Sequence, residues 1–102
     1  MTNQEIANEI KNQIGHKALY MIGAKNMSYD SKSEHGSLSF KIMRNAKSVN
    51  YIRITLNGKD LYDIEYLNCN VKRIKTIAVD NDVYCDMLHE SIERNTGLYT
   101  SL

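Results

Sequence analysis

The chain has 102 residues, enough for one domain built on one core, with little left over for a deep enclosed pocket. Hydrophobic residues make up 42% and charged residues 25%, which excludes a disordered chain, and no apolar run approaches the roughly 18 residues of a membrane-spanning helix. A formal net charge of +1 gives no general electrostatic case for nucleic acid, although a local basic patch stays open.

In chain order, the first element is a helix. Thr2 and Glu5 stand three apart as a capping box, Ile6, Ile10 and Ile14 make one apolar stripe beside Ala7, and Gly15 suits the end. Ala18 to Gly23 is a short apolar run expected as a strand, closed by a turn over Gly23-Ala24-Lys25-Asn26. Ser28 to Ser37 is the most polar stretch and is expected as a loop. Leu38, Phe40 and Ile42 alternate with Ser39 and Lys41, the period of a half-buried strand.

Arg44 to Ser48 is a basic connection, and Tyr51 to Leu56 is a strand with Ile52, Ile54 and Leu56 inward. Asn57-Gly58 signals a turn into a return strand over Leu61 to Leu67. A two-residue loop sets Asp63 against Ile52 on the core side. A three-residue loop pairs Ile54 with Tyr62 and Ile52 with Ile64, so an odd-length loop is expected. Val71 to Val79 reads as a fifth strand, an edge guarded by Lys72, Arg73 and Lys75. Asp80-Asn81-Asp82 offers caps for a last helix from about Val83 to Asn95, with Tyr84, Met87, Leu88 and Ile92 on one face and Gly97 as the stop.

The expected architecture is a single α+β domain over residues 1–102. It is a two-layer sandwich in the order helix, four- or five-stranded mainly antiparallel sheet, helix, with both helices on one face. Tyr20, Tyr62, Tyr66 and Tyr84 are expected in the core, and Tyr29 and Tyr51 outside. The start Met1-Thr2-Asn3-Gln4-Glu5 has no signal-peptide character, so a cytoplasmic location is expected, with Cys69 and Cys85 as reduced thiols and no membrane contact.

Several segments carry a resemblance. Thr2 to Asn8, Met21 to Asn26, Ile54 to Gly58, Leu61-Tyr62, Val83 to Leu88 and Thr96 to Thr100 together resemble a family of short proteins found in bacteriophages and bacterial mobile elements. The resemblance covers nearly the whole chain. It implies a phage or prophage accessory protein working inside a bacterial host, and it brings no catalytic residues.

Three sets of side chains have the types that could carry chemistry. Cys85 and His89 stand four apart and could join Cys69 with His16 or His35 at a metal, or act as nucleophile and base. The spacing departs from structural zinc patterns, and no third group orients a base. Neither metal, nor cofactor, nor catalysis is therefore expected. Lys25 and Asn26 follow a glycine and could hold a phosphate or carboxylate; the plainer reading is a turn. Lys41, Arg44, Lys47, Tyr51 and Arg53 could track a phosphate backbone with Tyr51 stacking on a base, against the plainer reading of a solvated face neutralised by Asp63 and Glu65.

The leading functional expectation is a non-enzymatic module that binds a host or phage protein, with inhibition of a host defence system as one version. The alternative is a nucleic-acid-binding accessory protein. Self-association through the open sheet face or an edge strand is a further expectation the sequence leaves open.

Overall fold

A computed structural model describes residues 2–29 and 36–100 of the chain. The expected loop residues 30–35, His35 among them, lie outside the described residues. Helix α1 covers Asn3–Ile14, α2 His16–Met21, and α3 Leu88–Thr96. Strands β1 (Lys25–Tyr29), β2 (Ser37–Lys41), β3 (Tyr51–Leu56), β4 (Tyr62–Cys69) and β5 (Ile74–Val83) form one antiparallel sheet in sequence order. The α+β sandwich is as expected. Ala7, Ile10 and Ile14 of α1 and Leu88 and Ile92 of α3 share one core with Leu38, Phe40, Ile52, Ile54, Ile64 and Tyr66 of the sheet. Burying each of the large aliphatic side chains stabilises the fold by about 1.5–3 kcal/mol relative to exposing it.

The capping box forms as read. Glu5 N donates to Thr2 Oγ1 over 3.1 Å, and Thr2 N donates to Glu5 Oε1 over 3.4 Å. The segment after it does not follow the sequence expectation. Ala18 to Met21 lies in α2, not in a strand. Ala18, Leu19 and Ile22 are buried, at the spacing of one helix side, while Tyr20 points away and is 87% exposed. The first strand begins where a turn was expected, at Lys25. It carries a bulge between Lys25 and Ser28, where Asn26 takes the left-handed conformation (φ 55°) that asparagine tolerates.

The β3–β4 loop has odd length, but it is longer than expected. Ile54 pairs with Ile64, Ile52 with Tyr66 and Leu56 with Tyr62, so five residues separate the strands. Asn57 sets this length. Its Oδ1 accepts from Lys59 N (2.8 Å) and Leu61 N (3.2 Å), and its own N donates to Leu61 O (2.8 Å). Moving the register by two residues keeps every apolar side chain on the buried face.

β5 also starts and ends later than expected. Asn70 Oδ1 accepts from Lys72 N and Arg73 N, which holds residues 70–73 in a turn. The strand then runs through Asp80-Asn81-Asp82 to Val83, which is buried opposite Tyr62. Tyr84 is extended and 59% exposed, a 3-10 turn covers Cys85–Met87, and α3 begins only at Leu88. Of the four tyrosines expected in the core, Tyr62 and Tyr66 are buried, and Tyr20 and Tyr84 are exposed. Gly97 (φ 76°) ends α3 in the left-handed position that glycine takes without strain. No described helix is long and apolar enough to cross a membrane.

Candidate docking surface at the basic end of the sheet

The register aligns one residue from every strand into a row near one end of the sheet: Lys25, Lys41, Tyr51, Leu67 and Thr76. Two connections leave the sheet at this end, residues 42–50 between β2 and β3 and residues 70–73 between β4 and β5. They are tied together. Asn50 N donates to Leu67 O, Asn50 Nδ2 to Cys69 O, Cys69 N to Asn50 Oδ1, and Asn68 Nδ2 to Ser48 O. Asn45 fixes the first connection from within. Its amide donates to Met43 O and Val49 O, and its oxygen accepts from Lys47 N and Val49 N.

This end gathers Lys25, Lys41, Arg44, Lys47, Lys72, Arg73 and Lys75. All are exposed, and none forms an ion pair among the described residues. Lys25 and Lys41 are direct cross-strand partners, an arrangement that costs a few tenths of a kcal/mol through like-charge repulsion. Between the first connection and the end of β4 lies a groove of about 450 Å³ lined by Arg44, Asn45, Ser48, Val49, Asn50 and Asn68.

The five residues of the expected sheet-face cluster separate into two groups. Lys41, Arg44 and Lys47 sit at the basic end. Arg53 stands higher on the outer face, where it pairs with Glu65 across the strands at 3.7 Å, an exposed ion pair of about 0–1 kcal/mol. Tyr51 is half-buried. Its hydroxyl donates to Ser39 Oγ over 3.0 Å, and Ser39 is bonded in turn to Ser28. A ring tethered in this way is a poor platform for a base. Lys25 and Asn26 are exposed at the start of β1, where Lys25 extends the basic row.

Lys72, Arg73 and Lys75 were read from the sequence only as edge guards. A signal for their convergence was available. The chain has no Asp or Glu in residues 10–29, 35–59 or 66–79, and these three stretches hold eleven of the thirteen Lys and Arg residues. The antiparallel order brings parts of all three stretches to one end. The carboxylates of Asp60, Asp63 and Asp82 lie toward the other end, where Asp82 meets Lys59 at 3.2 Å.

Cys85 and His89 do not share a helix face, because α3 starts between them. His89 Nε2 donates to Ile14 O over 2.6 Å, which joins α3 to the end of α1, and Cys85 is exposed beside a cleft lined by Glu9, Gln13 and Tyr62. Among the described residues no three His, Cys, Asp or Glu side chains converge as metal ligands do. No family model matches the chain, and no curated protein or solved structure matches it. The resemblance to phage and mobile-element proteins rests on the residues quoted for it.

Proposed function

We propose that the protein is a non-enzymatic binding module that docks its basic end onto an acidic surface of a partner protein. The observation that carries this is the gathering of seven exposed cations, free of ion pairs among the described residues, at one end of a chain whose net charge is only +1. Nucleic-acid-binding domains commonly join a clustered basic face to a strongly basic chain, and this chain's net charge is only +1. A near-neutral molecule with segregated charge suits a partner patch of limited size and opposite sign. The Lys25–Lys41 repulsion is relieved when such a patch covers it. The sequence resemblance supports a phage or mobile-element accessory protein acting in the bacterial cytoplasm, with a host or phage protein as the partner. Interference with a host defence protein fits that setting.

A second reading is docking on a nucleic-acid backbone, favoured by the run of cations from Lys25 through Lys41 to Arg44 and Lys47. Fluorescence anisotropy separates the two, using a poly-glutamate peptide and single- and double-stranded DNA of matched charge at low salt. The acidic-protein reading requires the peptide to bind at least as tightly as DNA, and K41E/R44E/K47E to weaken it more than tenfold. Tight DNA binding with no peptide binding favours the second reading. No binding of any polyanion rejects both.

A further inference from the structure

β5 is an edge of the sheet and, at ten residues, twice the length of β1 at the other edge. It carries exposed Ile74 and Val79, and exposed Val71 and Tyr84 flank it. A long edge with apolar side chains is a template for pairing with another strand.

Pairing with β4 defines which way each residue faces. Ile74, Thr76 and Val79 oppose Cys69, Leu67 and Glu65 on the outer face, and Lys75, Ala78 and Asp80 oppose Asn68, Tyr66 and Ile64 on the inner face. A bulge adds Ile77 to the inner side, where it packs against the core.

We infer that β5 pairs antiparallel with β5 of a second copy across a two-fold axis between Ile77 and Ala78, joining two sheets into one. In this register Ile77 meets the partner's Ala78, Thr76 meets the partner's Val79, and Lys75 meets the partner's Asp80. Inner residues oppose inner residues and outer oppose outer. A one-residue slip sets inner against outer along the strand, and a two-residue slip still crosses the pair at the centre. Bulges commonly blunt an edge. Here the two-fold sets the Ile77 bulge against its own copy, so the extra residues face each other, and the second bulge of β5, between Asp80 and Val83, lies beyond the paired residues 75–80.

The same register is complementary in charge. Lys75 faces the partner's Asp80, and symmetry repeats the contact. Asp80 has capacity for another donor: Ser91, Arg94 and Asn95 all donate to its Oδ2, and its Oδ1 accepts from none of the described residues. The basic ends of the two copies point in opposite directions, and Lys25, Lys41, Arg44 and Lys47 stay outside the seam. Lys75 belongs to both surfaces, and in the dimer the docking reading rests on the other cations of the basic end.

Sedimentation equilibrium tests the dimer, and a cross-link tests its register. Twice the chain mass is expected at high concentration, falling toward the monomer on dilution, because an edge seam is small beside a typical stable interface. In a Cys69→Ser/Cys85→Ser background, Thr76→Cys/Val79→Cys should oxidise to a covalent dimer. Within one strand those positions are about 10 Å apart, beyond disulfide reach. Lys75→Cys/Val79→Cys places the thiols on opposite faces and should not cross-link. K41E/R44E/K47E, which removes docking, should leave the dimer intact. A monomer at every concentration, or equal cross-linking by both cysteine pairs, overturns the inference.

Discussion

Replacing Ser91 by alanine tests the buried relay that fastens α3 to the sheet. The Tyr66 hydroxyl donates to Ser91 Oγ over 2.7 Å, and Ser91 donates onward to Asp80 Oδ2 over 2.5 Å. Tyr66 is 0% exposed and Ser91 2%. Ser91→Ala leaves the phenol proton without this acceptor and takes one donor from the carboxylate. A buried group orphaned in this way costs roughly 1–3 kcal/mol, and the lost bond to a charged acceptor adds to it, so about 3 kcal/mol is expected. That is a large share of a total stability of about 5–15 kcal/mol. Tyr66→Phe leaves the Ser91–Asp80 bond in place and should cost about 1 kcal/mol. In the double variant no phenol is left to orphan, so its cost should fall about 1–2 kcal/mol short of the summed singles. Urea unfolding of the four proteins measures this. Single-variant costs that add to within about 0.5 kcal/mol would refute the relay.

Burial pushes the Tyr66 phenol up to about 12, partly offset by its hydrogen bonds with Ser91 and Asn95, against an ordinary 10.0. Above the ordinary value the unfolded chain releases this proton and the folded chain keeps it. Stability should therefore fall by about 1.4 kcal/mol per pH unit from 10 toward 12, and Tyr66→Phe should flatten that limb in urea titrations. At Asp80, burial pushes the carboxyl up, but hydrogen bonds from Ser91, Arg94 and Asn95 outweigh it and hold the group below its ordinary value. The stability it supplies is complete at neutral pH and is lost as pH falls through the folded value, so Asp80→Asn should weaken the protein at pH 7 and shrink its acid sensitivity. Gly36→Ala places a Cβ 2.5 Å from Ile6 Cγ2 and 2.7 Å from Ile6 Cδ1, with Ile6 Cβ closer still. Because Ile6 Cβ itself is in the way, α1 must shift. Overpacking of about 1–3 kcal/mol should appear as a fall in Tm of at least about 4 °C by calorimetry, and Ile6→Ala should not rescue it.

Where burial follows a clear period, the chain is legible from its residues. Leu38/Phe40, Ile52/Ile54 and Ile64/Tyr66 alternate and lie on the buried side of the sheet, and Ile10 and Ile14 recur at helical spacing and line α1. The strand expected over Ala18 to Gly23 is instead helical up to Met21, because a short apolar run has no period that separates a buried strand from a buried helix. β1 was missed because an edge strand of Lys25, Asn26, Met27, Ser28 and Tyr29 buries too little to alternate. Asp80 looked like a helix cap, whereas it is a strand residue whose carboxylate holds the helix from the side. Each cation of the basic end is visible in the sequence. Their meeting depends on a register linking residues 25, 41, 51, 67 and 76, which no local pattern encodes.

A body with its cations drawn to one end and several carboxylates toward the other is an electric dipole as well as a surface. A partner's field exerts a torque on it before any atoms touch. At physiological ionic strength that torque reaches out about 8 Å, one Debye length. The molecule thus turns to face a charged surface during its last steps of diffusion, and added salt should slow its capture before it loosens its grip.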